Sequence, residues 1–471
     1  MDLIRNSIKN SRYMQYIAAI AATSTYISVG LSFTWPSPTL PKLQSENSPI
    51  GYPITDEEGS WLVSITLLSS IPGCILGGYT IDKLGRKPNI LMTSTITSLH
   101  FFAISFGNSF WLLLLSRLIG GLSMSIAGLA STIYIGEIAE NDIRGKLSTY
   151  LMLLKVSGSL MGLVIGPNVS YRFLGIFSGC IPMITVLMFC FIPETPFFLV
   201  KTHKVEEAKK CLKQLSGENV SCEDIEEKLC SIQEIVRKDM ENKGSIKELI
   251  RNEKYRYPIF LMMGIKSLQQ LSGSVALESY LQKIIDLSKS GIKSEIVSII
   301  IGCIQLPTVF ISSVLVDKLG RKPLLITSAF GCFFALFITA SYFLHIDNIN
   351  NIENSFFWVP TIGLSLFWVF YPIGILPLPY VLIGELFPVN IKEIAIAFLC
   401  TYGACIGFLT AKLFKPVSNL LGIHTVLYLF SGICFFGACF VYWFLPETKG
   451  KDFQEIQNNV CKRDLNWLRK K

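Results

Sequence analysis

The chain has 471 residues, of which 51% are apolar and only 16% charged, against about a quarter charged in a soluble domain. The deficit is uneven: apolar runs of about 20 residues, enough to cross a hydrocarbon core of about 30 Å, alternate with short charged clusters, which excludes a single water-soluble globule. The formal net charge of +8 is what a positive-inside membrane protein carries and gives no support for a nucleic-acid partner.

Only helices and closed barrels satisfy their backbone polar groups inside a bilayer. The apolar runs are long and lack the period-two alternation of barrel strands, so the fold class expected is an all-α membrane protein. Twelve spans are predicted, over 13–35, 58–80, 89–107, 110–135, 145–166, 171–193, 257–285, 293–316, 323–345, 357–384, 391–415 and 423–445. Lys and Arg collect in one set of connections: Asp82 to Lys87, Arg144 with Lys146, the 194–256 segment, Asp317 to Lys322, and the tail after Pro446. Those connections and both termini are therefore expected in the cytoplasm, with the plasma membrane as the expected location. The 13 cysteines fall in spans or cytoplasmic segments, so no disulfide framework is expected. The four histidines (His100, His203, His345 and His424) are scattered. No metal-ligand spacing, catalytic triad or phosphate-binding glycine loop appears. The expectation is a protein that is not an enzyme and holds neither metal nor cofactor.

Internal repetition is the strongest signal. Asp82-Lys-Leu-Gly-Arg-Lys-Pro88 recurs unchanged as Asp317-Lys-Leu-Gly-Arg-Lys-Pro323, each between the second and third span of a six-span half. Gly136-Glu137 precedes Arg144 as Gly384-Glu385 precedes Lys392. Pro193-Glu194-Thr195 closes the sixth span as Pro446-Glu447-Thr448 closes the twelfth. Two parallel six-helix halves follow, 1–193 and 257–446, joined by a cytoplasmic helical linker, 194–256, and followed by a cytoplasmic tail, 447–471. Such a repeat places a solute site near the midplane between the halves.

These motifs resemble those of the sugar porters of the major facilitator superfamily. Gly78-x-x-x-Asp82-x-x-Gly85-Arg86-Lys87 is similar to the superfamily's signature loop. Pro193-Glu-Thr-Pro196 and Pro446-Glu-Thr-Lys-Gly450 are similar to the motifs that end helices six and twelve. Gln269-Gln-Leu-Ser-Gly273 resembles the sugar-binding start of helix seven, and Gly30 through Ser37-Pro38 resembles the first helix of insect facilitated trehalose and glucose transporters. The resemblance implies a cytoplasmic gate made by Asp82, Arg86, Glu137, Arg144 and Glu194 in one half and by Asp317, Arg321, Glu385, Lys392 and Glu447 in the other. Lys392 stands where the family usually has Arg, and it lacks the bidentate fork.

For the solute, the resemblance implies Gln269, Gln270, Gln305 and Tyr380. Amides donate and accept, which suits sugar hydroxyls. Gln305 replaces a family Asn in helix eight, and Tyr380 replaces a Trp in helix ten. The Asn after the Gln-Gln motif is absent, Ser274-Val275-Ala276 standing there. The Asn-Trp pair of helix eleven reads Gly403-Ala404, and the Gln of helix five has no counterpart near Met152. Charges new to the family pattern occur within the spans: Lys155, Lys266, Glu278 and Lys412. Lys266 lies one turn before the glutamines and shares their helix face; it contacts an anionic ligand, pairs with a carboxylate, or snorkels. Helix one holds no Asp or Glu, and Ser32 stands where proton-coupled members carry an acid. The expected function is facilitated, uniport passage of a sugar, hexose or trehalose, by alternating access, with the solute and the lipid bilayer as partners. The alternatives are a carrier of a non-sugar or anionic small solute, and a transporter-like sensor.

Overall fold

A computed structural model describes residues 13–139, 144–216, 222–241, 246–288, 293–348, 358–387 and 389–449. Among them are twenty helices and no strand. The first half contains α1 (Tyr13–Thr34), α2 (Pro36–Gln44), α3 (Asp56–Leu84), α4 (Arg86–Phe106), α5 (Phe110–Ile138), α6 (Arg144–Asn168) and α7 (Tyr171–Cys190). The linker contains α8 (Pro196–Lys201), α9 (Val205–Ser216), α10 (Cys222–Glu241) and α11 (Ile246–Arg251). The second half contains α12 (Glu253–Leu271), α13 (Ser274–Ser279), α14 (Leu281–Leu287), α15 (Ser294–Leu319), α16 (Arg321–Asn348), α17 (Val359–Ile373), α18 (Leu378–Leu386), α19 (Val389–Leu421) and α20 (Ile423–Phe444).

Eleven stretches are long and apolar enough to cross a membrane, two of them counted through the short breaks at Trp35 and Gly374–Pro377. The predicted seventh span is interrupted and comes as α12, α13 and α14 in succession. Gly273 causes the first interruption: its φ is +82°, and the Phe430 ring occupies the space a Cβ would need, so an L side chain is excluded on both counts. In the tenth span, Pro377 and Pro379 have no N–H to give to the carbonyls of Ile373 and Ile375 four residues earlier. Side chains take over: Ser312 Oγ donates to Ile373 O (2.7 Å) and Gln269 Nε2 to Ile375 O (3.1 Å).

Within the first half, α3 and α4 pack on α5, α4 on α7, and α1 on α6; within the second, α16 packs on α17 and α20, and α12 on α19. The halves meet where α3 packs on α19, α6 on α15, and α13 and α14 on α1 and α2. Apolar residues of α9 and α10, among them Ala208, Leu212, Ile225 and Leu229, join the core of the first half with Ile81, Ile135 and Phe189, whereas Leu249 of α11 joins the apolar cluster shared by both halves, α11 packing on α12 and α19. The linker therefore covers chiefly the first half. The side bearing α8–α11 is the linker face. The opposite side, where α3 begins at Asp56, is the far face.

Candidate solute site and gates

The interior site is built around the interruption of the seventh span. Gln269 is 3% exposed. Its Nε2 donates to Ile375 O and to Leu376 O (3.0 Å), and its Oε1 accepts from Lys266 Nζ (2.9 Å). Its amide is spent on the broken tenth span. Gln270, one residue on, points about 100° away. It faces Gly403 and Gly407 of α19, and its Oε1 is buried without a hydrogen-bond partner. Gln305 on α15 is 3% exposed, and no hydrogen bond to its amide occurs among the described residues. Tyr380 on α18 lies under Lys266, whose Nζ is 4.1 Å from the ring centroid, yet it is 44% exposed. An exposed ring in contact with a buried helix is what a cavity between the halves produces. Gln269 thus holds the wall, whereas Gln270 Oε1 and the Gln305 amide accept or donate no hydrogen bond among the described residues and the Tyr380 ring is exposed.

The remaining interior charges have identifiable neighbours. Arg117 donates to Leu62 O (3.1 Å) and to Ser32 O and Oγ (2.9 and 3.1 Å), and lies over the Trp35 ring. It ties α1, α3 and α5 together. Glu278 accepts from Ser159 Oγ across the halves (2.8 Å), and Lys155 lies over the Phe33 ring.

On the linker face the duplicated residues form two similar clusters. In the first half Arg86 donates through Nη2 and Nε to Glu137 Oε1 (2.6 and 3.1 Å). Glu194 accepts from the N–H groups of Lys87 (3.0 Å) and Thr195 (2.8 Å). Asp82 is in the last turn of α3. It pairs with Lys201 of α8 (2.9 Å) and more distantly with Arg86 (3.9 Å). In the second half Arg321 pairs with Glu385 Oε1 through Nη2 (2.9 Å) and Nε (3.0 Å). Glu447 accepts from the N–H groups of Arg321, Lys322, Thr448 and Lys449. Gly85 and Gly320, at φ +100° and +94°, present a bare Cα to Glu194 and Glu447 respectively. Every pair named here joins elements of the same half or its linker. The side chains of Arg144 and Asp317 lie outside the described residues. Lys392 is half-buried at the start of α19, with its Nζ near Gly384.

The far face holds a cluster that the motif search passes over, because it is not duplicated. Asp56, at the first turn of α3, pairs with Lys283 of α14 (2.9 Å) and Lys415 of α19 (3.4 Å), and its Oδ1 accepts from Gln44 (3.0 Å). Below it, Lys412 donates to Ser60 Oγ (2.8 Å) and lies over the Trp61 ring. These contacts tie the two halves together on the far face. The sequence signal was present: charges at the far ends of three separate spans, two basic and one acidic.

Comparison with known proteins places these features. The family model described as "Sugar (and other) transporter" matches residues 15–460. The facilitated trehalose transporter Tret1 of Polypedilum vanderplanki is 29% identical over 456 residues, covering 96% of this chain and 89% of that relative. Tret1 of Bombyx mori is 30% identical over 449 residues, covering 94% and 86%. Among solved structures, the inward-open xylose transporter XylE from E. coli superposes with a TM-score of 0.76 at 19% identity, covering 94% of this chain and 99% of that one. XylE bound to 6-bromo-6-deoxy-D-glucose, described as a proton:xylose symporter, superposes with a TM-score of 0.77, also at 19% identity, covering 96% and 100%. The fold of this chain is that of a major facilitator sugar porter, and by the match along almost its whole length the chain belongs to the sugar (and other) transporter family as an integral membrane protein.

Proposed function

We propose that this chain is a uniporter that lets a sugar, hexose or trehalose, run down its gradient across the plasma membrane. The linker face and both termini are cytoplasmic. Alternating access comes from the two halves rocking about the interior site. The Asp56 cluster closes the outer side in the conformation described, and its pairs must break when that side opens. Asp82, Arg86, Glu137, Arg144, Glu194 and their counterparts Asp317, Arg321, Glu385, Lys392 and Glu447 form the cytoplasmic gate. The carrying observation is that two interior amides, Gln270 through its Oε1 and Gln305, find no hydrogen-bond partner among the described residues, while the Tyr380 ring under Lys266 is exposed. Buried amides without partners are costly in an apolar bundle, and sugar hydroxyls supply both donors and acceptors. Ser32, bound to Arg117, has no titratable group at the position where proton-coupled family members carry an acid, which supports uniport.

Radiolabelled uptake of glucose, fructose and trehalose in a transporter-null cell, at two external pH values, tests this reading. Uptake stops at equal concentrations on the two sides and survives a proton ionophore. Gln270→Leu and Gln305→Leu each weaken transport by up to about tenfold at matched surface levels, the cost of one hydrogen bond of about 0.5–1.5 kcal/mol. Gln305→Asn is milder. Normal transport in both Leu variants sinks the site; accumulation that collapses with the ionophore sinks uniport.

A further inference from the structure

Lys266 is an interior charge that the mechanism above does not use. It lies in α12 and is only 2% exposed. Its ammonium donates to one neutral acceptor, Gln269 Oε1 (2.9 Å), and rests on the Tyr380 ring. Among the described residues no carboxylate pairs with it. One neutral hydrogen bond and a π-face are poor compensation for a full charge at this depth. Other buried cations are treated differently: Arg117 has three oxygen acceptors besides its indole, and Arg86 pairs with Glu137. Glu278, the buried acid, accepts from Ser159 instead.

At Gly403, α19 presents no side chain to Lys266. A Cβ added at Gly403 would meet nothing closer than 3.8 Å, and the atoms it would meet are Lys266 Cδ and Gln270 Nε2. The neighbouring Gln270 Oε1 is buried and unpartnered, and the Tyr380 ring is exposed. A bare stretch of α19, a free amide, an open aromatic face and an uncompensated ammonium thus converge on one place.

We infer that the preferred solute is a sugar bearing an anionic group, carboxylate or phosphate, which pairs with Lys266 while its hydroxyls engage Gln270. This rests on the sugar-carrier reading and narrows its substrate class. A carboxylate or phosphate supplies the missing counter-charge through charge-assisted hydrogen bonds, roughly twice as strong as neutral ones. It also makes transport electrogenic, since a net negative charge crosses with each solute.

The experiment uses the full chain in oocytes, with uptake and membrane current recorded for glucose, trehalose, glucuronate and glucose 6-phosphate. The expected result is saturable uptake of at least one anionic sugar, accompanied by outward current, with half-saturation about tenfold or more below that of either neutral sugar. The two anions separate carboxylate from phosphate recognition. Lys266→Gln lowers the ratio of anionic to neutral uptake by about tenfold or more at matched surface level, and Lys266→Arg restores part of it. Competition in the wild-type protein gives the same answer without a variant: the anion displaces labelled neutral sugar at lower concentration than unlabelled glucose does. Saturable, current-free uptake of a neutral sugar that neither anion inhibits overturns the inference and leaves the sugar carrier standing. Absence of uptake for all four sugars by surface-located protein overturns the sugar-carrier reading, and this inference with it.

Discussion

The same seven residues, Asp-Lys-Leu-Gly-Arg-Lys-Pro, stand at the linker face of both halves and meet different surroundings. In the first half, α8 and α9 fold over the motif. Arg86 is 3% exposed, the Phe198 ring lies against its guanidinium, and Lys201 reaches down to Asp82. In the second half the corresponding Arg321 side chain retains 15% exposure and its partner Glu385 22%, against 4% and 14% for Arg86 and Glu137. The two acids that close the halves diverge accordingly. Burial of the Glu194 carboxyl raises it above the usual carboxylate range, in spite of the N–H groups that point at it. Burial acts on Glu447 as well, but four backbone N–H donors outweigh it and hold that carboxyl below the usual range. A repeated motif thus carries its hydrogen-bond pattern with it, whereas the energy of that pattern comes from what covers it.

The largest expected effect that would break this comparison is the loss of the buried arginine. Arg86→Ala removes one partner of a largely buried ion pair with Glu137, at a cost of about 3–5 kcal/mol. Arg321→Ala costs about 1.5–3 kcal/mol, the value of a hydrogen bond to a charged group. Thermal denaturation of the two purified variants measures the difference; equal losses would show that the cover does not matter.

A finer separation comes from pH. Glu447 is held low, so its stabilisation is complete above the ordinary carboxylate value of 4.5 and fades as pH falls through its lower folded value. Glu194 is held high, so its ionisation opposes the fold once pH rises above 4.5, and acidification towards that value relieves the penalty. Denaturation temperatures followed from pH 7 downwards should show Glu447→Gln removing a loss at the acid end. Glu194→Gln should remove a gain on the way there. Parallel curves for the two variants would mean that both acids sit in equivalent surroundings.

The smallest effect belongs to the cover itself. Lys201→Met breaks an exposed pair with Asp82, worth about 0.2–1 kcal/mol, and should shift the denaturation temperature only slightly. A shift as large as that of Arg86→Ala would make α8 the principal clamp of the first half.

Much of this architecture was legible because membrane insertion writes itself into composition. A span must be apolar and about 20 residues long, so eleven crossings could be read directly, together with the repeat that pairs them. The seventh was read as one continuous span because Ser272 and Gly273 hardly interrupt its apolar character. The positive φ at Gly273, with the Phe430 ring behind it, makes the first break, and a turn at Tyr280 makes the second. The glutamine pair was visible as two polar residues in an apolar run, but its division of labour was not. Gln269 answers to the Ile375 carbonyl freed by Pro379, and to its neighbour at Leu376, more than a hundred residues away, and no local pattern reports such a need.

The sequence by itself determined that this chain is a helical membrane protein of two repeated halves, that acids and bases mark one face of each, and that amides and a lysine interrupt the seventh span. Local pattern suffices there, because each span must satisfy its own backbone in the bilayer. The tertiary structure decided which amides are free, which charges are compensated, and that Asp56 ties Lys283 and Lys415 across the halves. Those outcomes depend on atoms brought within about 3–4 Å from distant parts of the chain, where burial and hydrogen bonding set the value of every charge.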